Sequence, residues 1–336
     1  MQIERGDGVA ERLICLLATK FKNNRLIIIT GQDNSYEIAE EFASKISNDY
    51  QLLRAIDSPS FIDKLKRDIL DDDVVISIGG GKVIDISKEV AFHSKAVLIA
   101  LPTVLSNDGL ANGLVVIKSV NDSKSIYRKA VDYLFVDFDI ISNSPDIYIK
   151  SAIGDVFSNY SALNDWMLDG DDEYVKETVE LSLQKIKDVD FSNIDNTLDA
   201  IIYSGKSVEY LKNSSAISGS EHLILHSLEI LFPDKMVNHG IAVASISLFT
   251  MFLQQKLEAH HVEFIFAMQI PASFLSLYPL VETQYEELFR LAKSYRQHRK
   301  TVLNSYSDFE LRRQLNLFIN KVDSFDKKIN LYNQII

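Results

Sequence analysis

Four short runs of nearly uninterrupted apolar residues constrain this chain more than any other feature: RLIIIT (25–30), DVVISI (73–78), AVLIAL (96–101) and DYLFVD (132–137). A strand with one wet face alternates apolar and polar side chains, whereas a continuous run implies burial on both faces, as in a parallel sheet covered by helices. Helical patterns follow the first two runs, in YEIAEEFASKI and from Lys82 to His93. Strand–helix alternation of this kind predicts βαβ units in a doubly wound fold. After Pro145 the β-branched runs stop, and apolar residues recur at three and four positions, as in ISLFTMFLQQKLE and LFRLAKSY. That period is helical. The reading is an α/β domain over residues 1–147, with a doubly wound, mostly parallel sheet, followed by an all-α domain over 148–336. A cleft between two such domains is the default place for a ligand.

Charge narrows the partners. Lys and Arg number 35 against 47 Asp and Glu, a net charge of −12. Such an acidic chain is not expected to grip nucleic acid or an anionic membrane over a broad face, and an anionic substrate would need a local cluster of positive groups. Cys15 is the single cysteine, so an intrachain disulfide and a Cys-rich zinc site are both excluded. The N-terminal segment MQIERGDGVAERLICLLATKF lacks the apolar core of a signal peptide. The most apolar late stretch, Phe264 to Val281, is broken by Pro271 and Pro279. No membrane insertion is expected, and a cytoplasmic location is.

Three constellations carry chemistry. In DVVISIGGGKVIDISK, Gly79, Gly80 and Gly81 follow an apolar run and open a helix. Amides at a helix N-terminus favour phosphate, and glycine lets a pyrophosphate approach closely. A tight strand–helix turn would use the same residues. In LPTVLSNDGLANG (101–113), Thr103, Ser106, Asn107 and Asp108 offer hydroxyl, amide and carboxylate groups after the third run. Loops at that end of a parallel strand hold ligands, although S-N-D-G is also good turn chemistry. The third comprises Gly154-Asp155, SGSEHLILH (218–226) and Asn238-His239-Gly240. One Asp and two His make a mixed nitrogen–oxygen site for a divalent transition metal. Asp155 as a helix cap, and Ser218 with Glu221 as a capping box, are the plainer alternatives. His93, Glu221 and the pair His260–His261 read as structural or exposed.

Taken in order, GGGKVIDISK, PTVLSNDG, DYLFVDFDIIS, GDVFSNYSALNDW, SGSEH-x3-H, NHG and RKTVL (299–303) resemble the sn-glycerol-1-phosphate dehydrogenases. That family shares a fold with glycerol dehydrogenase, iron-containing alcohol dehydrogenases and 3-dehydroquinate synthase, and the resemblance spans roughly residues 25–305. It implies an NAD or NADP cofactor and one divalent metal, with zinc the first expectation and nickel or iron the others. Gly79, Gly80, Gly81 and Asp85 would bind the cofactor, Asp33 its adenosine ribose, and Thr103 and Ser106 its nicotinamide. Asp155, His222 and His239 match the metal ligands. Asp108 would touch substrate hydroxyls, and His226 would sit beside metal and substrate to move a proton. The implied reaction is reduction of dihydroxyacetone phosphate to sn-glycerol 1-phosphate, with a polyol or glycerol phosphate as the small-molecule partner and a homo-oligomer as the assembly.

The sequence departs from that pattern in three places. Ser215 stands where the family's S-R-P-A-S-G-S-E-H carries arginine, a natural bidentate partner of phosphate. Ile241 replaces the glutamate of H-G-E, and Asn107 the histidine of S-H-D-G. Arg299 is a candidate to supply the missing guanidinium. The departures keep open a dehydrogenase of an unphosphorylated polyol or alcohol and, more distantly, a non-catalytic nucleotide-binding relative.

Overall fold

The computed structural model describes residues 1–119, 122–188 and 190–333. Strands are β1 (Gln2–Gly6), β2 (Leu26–Thr30), β3 (Tyr50–Arg54), β4 (Val74–Gly79), β5 (Val97–Pro102), β6 (Leu114–Ser119), β7 (Asp122–Tyr127) and β8 (Tyr133–Asp137). Helices are α1 (Val9–Lys20), α2 (Asn34–Ser44), α3 (Pro59–Asp68), α4 (Gly81–Ala91), α5 (Phe138–Ser142), α6 (Asp146–Phe157) and α7 (Asn159–Trp166). They continue with α8 (Glu173–Lys185), α9 (Ile194–Leu211), α10 (Ser220–Leu231), α11 (His239–Leu253), α12 (Ala259–Ala267), α13 (Tyr285–Ser294) and α14 (Asp308–Asn333).

Six strands form one sheet in the order β1-β8-β5-β4-β2-β3, and every pairing in it is parallel. Leu26, Ile28, Val74, Ile76, Ile78, Ile99, Leu101 and Phe135 join Val9, Leu13 and Leu17 of α1 and Ala39 and Phe42 of α2 in one buried cluster. The intervening residues Ile27, Ile29, Val75, Leu98, Ala100 and Leu134 are buried as well, which requires a second covered face; α4 packs against β4 and β5. The chain runs outward from β2 to β3 and then returns to β4 on the other side of β2. That reversal creates a switch point beyond the C-terminal ends of β2 and β4, where open α/β sheets bind ligands.

The four apolar runs are the four inner strands. The two edge strands, β1 and β3, carry mostly exposed or half-buried residues. The antiparallel pair β6–β7 stands apart from the sheet. The chain divides into two compact units, Met1–Ala152 with Asp190–Ser214, and Ile153–Val189 with Ser215–Ile336. The helix α9, whose period places it with the helical half, therefore packs in the α/β unit: Arg5 donates to Asp199 at 2.5 Å, and Asp108 accepts from Ser204 at 3.1 Å.

In the second unit α11 is buried from Gly240 through Met251. A helix with no polar face belongs at the centre of its domain, and α10, α12, α14 and α7 all pack against it. No helix among the described residues is long and apolar enough to cross a membrane.

Candidate active site

Close packing of α6 on α11 delivers the first candidate ligand. A Cβ on Gly154 would lie 2.5 Å from the Gly240 carbonyl oxygen and 3.2 Å from Ala244 Cβ. Only a bare Cα allows that approach. Asp155, next along α6, and His239, at the first position of α11, are thereby neighbours, with Asp155 Oδ1 3.5 Å from His239 Nε2. His222, on the first turn of α10, completes the group: its Nε2 lies 3.7 Å from Asp155 Oδ1 and 3.2 Å from His239 Nε2. Ligand atoms about 2.0–2.2 Å from one metal at tetrahedral angles stand roughly 3.3–3.6 Å from one another. The three observed separations, 3.2, 3.5 and 3.7 Å, lie within about 0.1 Å of that spacing, and all three residues can present their ligand atoms within 4.8 Å of one another.

The charges agree with the geometry. Burial opposes ionisation of Asp155, but hydrogen bonds to His222 and His239 hold its carboxyl well below the usual range. His222 is opposed by burial and supported by Asp155 and Glu221, which lift its imidazole to about 9. Glu221 is fully buried, and its pairing with His222 outweighs burial and lowers its pKa. Asp155 and Glu221 thus bring two negative charges to two imidazoles in a buried site. A divalent cation balances that sum with both rings neutral.

Glu221, which its sequence position alone marks as structural, has a part in the site. Its Oε1 accepts from His222 Nδ1 at 2.8 Å and from the Gly219 amide at 2.6 Å, while Oε2 accepts from Ser161 at 2.7 Å. An ionised carboxylate can only accept, so Nδ1 carries a proton, which leaves Nε2, facing Asp155 and His239, as the nitrogen that would bind a metal. This is the carboxylate–histidine pairing that orients metal ligands. Gly219, not Ser218, caps α10; the capping-box alternative does not form, because Glu221 is turned into the site. A carboxylate immediately beside a candidate ligand is the signal that could have found it.

His226 lies one turn further along α10. Its Nδ1 is 3.4 Å from Glu229 Oε2, and its ring is 6.1 Å from that of Tyr295. Burial lowers its pKa, helped by the positive charges of His222 and Arg296. The imidazole is therefore neutral near pH 7.

The cofactor candidates lie in the other unit. Gly79 ends β4, Gly80 is the N-cap of α4 and Gly81 its first residue. A Cβ on Gly79 would meet Val83 Cγ2 at 2.7 Å, so this glycine lets α4 pack down on its own strand. The Val83 amide already donates to the Gly80 carbonyl at 3.0 Å, whereas the amides of the first two helical residues, Gly81 and Lys82, have no intrahelical acceptor. Thr103 follows β5 and is buried, with its hydroxyl 3.0 Å from that of Ser35, at the start of α2. Asp33 is exposed at the N-cap of α2 with φ 48, a left-handed conformation uncommon outside glycine. The ends of the adjacent strands β2, β4 and β5 thus carry Asp33, the glycine turn and Thr103 at the switch point.

Ser106 is half-buried, and its carbonyl accepts from Ser151 at 2.9 Å. Asp108 is tied to Ser204 of α9. Asp85 accepts from the Val116 amide at 3.1 Å and lies 3.6 Å from Lys88 Nζ. Lys88, which no motif nominates for a role, is fully buried and donates to the carbonyls of Gly109 and, at 3.0 Å, Leu114. It pins the loop that carries Thr103, Ser106 and Asp108 to α4.

Comparison with known proteins agrees with this reading of the fold. Residues 4–145 match the iron-containing alcohol dehydrogenase family. A glycerol-1-phosphate dehydrogenase [NAD(P)+] from Methanobrevibacter smithii is 27% identical over 251 residues, 69% of this chain and 71% of that protein. One of the same name from Pyrococcus horikoshii is 34% identical over 178 residues, 49% of this chain and 51% of the relative, so that match spans about half of each. Among solved structures, a probable glycerol dehydrogenase from Sinorhizobium meliloti superposes with a TM-score of 0.79 at 17% identity, covering 96% of this chain and 97% of that one. Glycerol dehydrogenase from Schizosaccharomyces pombe gives 0.73 at 18%, covering 99% and 91%. At those identities the structures speak for the fold alone. Residues 4–145 are thus similar to the iron-containing alcohol dehydrogenase family, and over nearly its whole length the chain has the fold of glycerol dehydrogenase.

Proposed function

We propose that this protein is a metal-dependent, NAD(P)-linked dehydrogenase that interconverts a ketone and a secondary alcohol, with dihydroxyacetone phosphate and sn-glycerol 1-phosphate as the pair. The observation that carries the chemistry is the convergence of Asp155, His222 and His239 at metal-ligand spacing, beside a buried carboxylate that orients one of them. The substrate pair is supported by the names of the relatives from Methanobrevibacter smithii and Pyrococcus horikoshii.

In this reading Asp155, His222 and His239 hold the metal. A divalent cation would supply Lewis-acid stabilisation of negative charge on the carbonyl oxygen, and the nicotinamide would supply the hydride. Glu221 keeps His222 in one tautomer and one orientation. Amides of the glycine turn at α4 receive the pyrophosphate, and Asp33 receives the ribose hydroxyls. Its carboxylate would repel a 2′-phosphate, which favours NAD over NADP. His226, neutral and directed at Glu229 through Nδ1, exchanges a proton with the substrate oxygen through Nε2. Asp108, Thr103 and Ser106 line the reacting end of the cofactor, and Asp85 acts with Lys88 to hold their loop. The loss of arginine at Ser215 favours a second reading, oxidation of an unphosphorylated polyol.

The test is a panel of NADH and NADPH against dihydroxyacetone phosphate and dihydroxyacetone, before and after chelation, with bound metal measured on the same samples. The phosphorylated ketone is expected to have the higher kcat/KM by at least about 100-fold, the scale of one charge-assisted phosphate contact pair. Chelation should remove the activity together with one equivalent of metal. Equal turnover of the two ketones would overturn the substrate assignment, and full activity in metal-free protein would overturn the metal.

A further inference from the structure

The N-terminus of α10 is closed by a carboxylate from another helix. The amides that open a helix have no intrahelical acceptor, and a side chain at the N-cap ordinarily takes one of them. Here the N-cap is Gly219, which has no side chain to offer. Asp165 of α7 takes its place: Oδ2 accepts from the Ser220 amide at 2.8 Å and from the Ser220 hydroxyl at 2.5 Å. Its Oδ1 accepts from Gln254 Nε2 at 2.8 Å and from the Val302 amide at 2.9 Å. Gln254 is the C-cap of α11, and Val302 lies in the RKTVL motif. One buried carboxylate thus joins three separate segments to α7. Arg299, of the same motif, donates to the carbonyl of Ser218, the residue before the N-cap, at 3.1 Å.

Charge on Asp165 is kept against opposition. All four donors are uncharged, and burial, followed by the negative charge of Glu221, pushes its pKa up to about 6. The carboxyl is still ionised near pH 7, because two backbone amides and the positive end of the α10 dipole favour the anion. Local conflicts of this kind are expected at functional sites. Asp165 and Ser161 are four residues apart and share one face of α7. Ser161 donates to Glu221 Oε2 at 2.7 Å, so that face holds Ser220 through one side chain and Glu221 through the other. The junction is tight: a Cβ on Gly219 would lie 2.9 Å from Asp165 Oδ2, 3.0 Å from Ala162 Cα and 3.1 Å from Glu221 Oε2.

Ser220, Glu221 and His222 are consecutive in the first turn of α10, so a shift of Ser220 carries the other two with it. His222 has little room to move, since its Nε2 stands 3.2 Å from His239 and 3.7 Å from Asp155 and metal–ligand distances tolerate only about 0.2 Å. We infer that Asp165 is a positioning residue for the candidate metal centre, clamping the first turn of α10 to α7 so that the Glu221–His222 pair faces Asp155 and His239. It acts through Ser220 and not by contact with a ligand. The inference rests on the reading of Asp155, His222 and His239 as metal ligands. It gives two buried carboxylates different tasks: Glu221 sets the tautomer and orientation of the ring, and Asp165 sets the backbone that carries it. Within the motif GDVFSNYSALNDW, Asp155 is then the ligand and Asp165 the clamp.

The test uses the full chain with Co²⁺ as the probe, because its visible absorption reports the geometry of the ligands as well as occupancy. Wild type is expected to bind one equivalent. Asp165→Asn turns one acceptor oxygen into a donor that faces donors. It should weaken Co²⁺ binding at least tenfold, the usual loss when a ligand's support is removed, and change the visible band. Leu315→Ala, at a buried apolar position of α14, is the control and should lower the thermal midpoint while leaving affinity and band as in wild type. Ser220→Ala removes only the hydroxyl that donates to Asp165 and should weaken Co²⁺ binding about threefold, the scale of one hydrogen bond. Wild-type affinity and band in folded Asp165→Asn, or in Ser220→Ala where Asp165→Asn does not fold, would overturn the positioning role. So would a loss of affinity in Leu315→Ala as large, degree for degree of midpoint, as that in Asp165→Asn. Wild-type protein that takes up no Co²⁺ would overturn the metal reading itself, and the positioning role with it.

Discussion

Gly154 of α6 and Gly240 of α11 touch backbone to backbone, and a Cβ on Gly154 would sit 2.5 Å from the Gly240 carbonyl oxygen. Each glycine adjoins a candidate ligand, Asp155 and His239, so the packing of two helices sets the distance between carboxylate and imidazole. A Gly154→Ala substitution gains about 1 kcal/mol of helix propensity. The overlap with a backbone oxygen cannot be relieved by rotating a side chain, and overpacking of this kind costs about 1–3 kcal/mol. The variant should melt at lower temperature and bind metal at least tenfold more weakly, as read by calorimetry and by competition with a chromophoric chelator.

Glu221→Gln retains the shape of the side chain and an oxygen for the Gly219 amide but removes the charge that holds His222 Nδ1–H. Replacing such an orienting partner weakens metal binding by about 10–100-fold. Chelator competition should show that loss while far-UV circular dichroism stays as in wild type. Undiminished affinity would mean that His222 is positioned by something other than Glu221.

Lys88→Met exchanges a buried ammonium for an apolar chain of similar length. It leaves the Gly109 and Leu114 carbonyls without that donor and the Asp85 carboxylate without its cation. Breaking a buried pair from one side costs about 3–5 kcal/mol. Denaturant unfolding should report that loss. Lys88→Met with Asp85→Asn should recover part of it, because no uncompensated charge is then buried.

His261 is expected to make the protein sensitive to mild acid. Its ring lies 4.7 Å from that of Tyr160, its Nδ1 accepts from the Glu258 amide, and burial, with the charge of His260, lowers its pKa from 6.5 to about 4. The folded state therefore binds fewer protons than the unfolded state between those values. The stability it contributes is present above pH 6.5 and is lost as pH falls towards 4. The loss should reach about 1–2 kcal/mol, allowing for solvent at the ring edge. His261→Gln, which keeps a capping side chain at that helix position, should flatten the dependence in urea melts between pH 7 and 4.

The inner strands β2, β4, β5 and β8 were legible because burial on both faces leaves no room for polar residues. The edge strands β1 and β3 were not, since QIERG and YQLLR face solvent and their pairing comes from a neighbour, not from their own composition. Asp155, His222 and His239 could be named from residue type and motif order. Glu221 could not be separated from an ordinary first-turn glutamate until α10 turned it inward. α9 has the period of a helix but nothing in that period to say which unit it joins.

What the amino-acid sequence determined alone is local and periodic: a parallel sheet under helices, a helical half, a glycine turn at a helix start and a set of metal-binding side chains. Which of those side chains face one another was decided by tertiary packing. A carboxylate on α6 reaches the imidazole at the start of α11 because Gly154 sets no Cβ against the Gly240 carbonyl. Distances between elements depend on the shapes that fill the space between them, and no single segment carries that information.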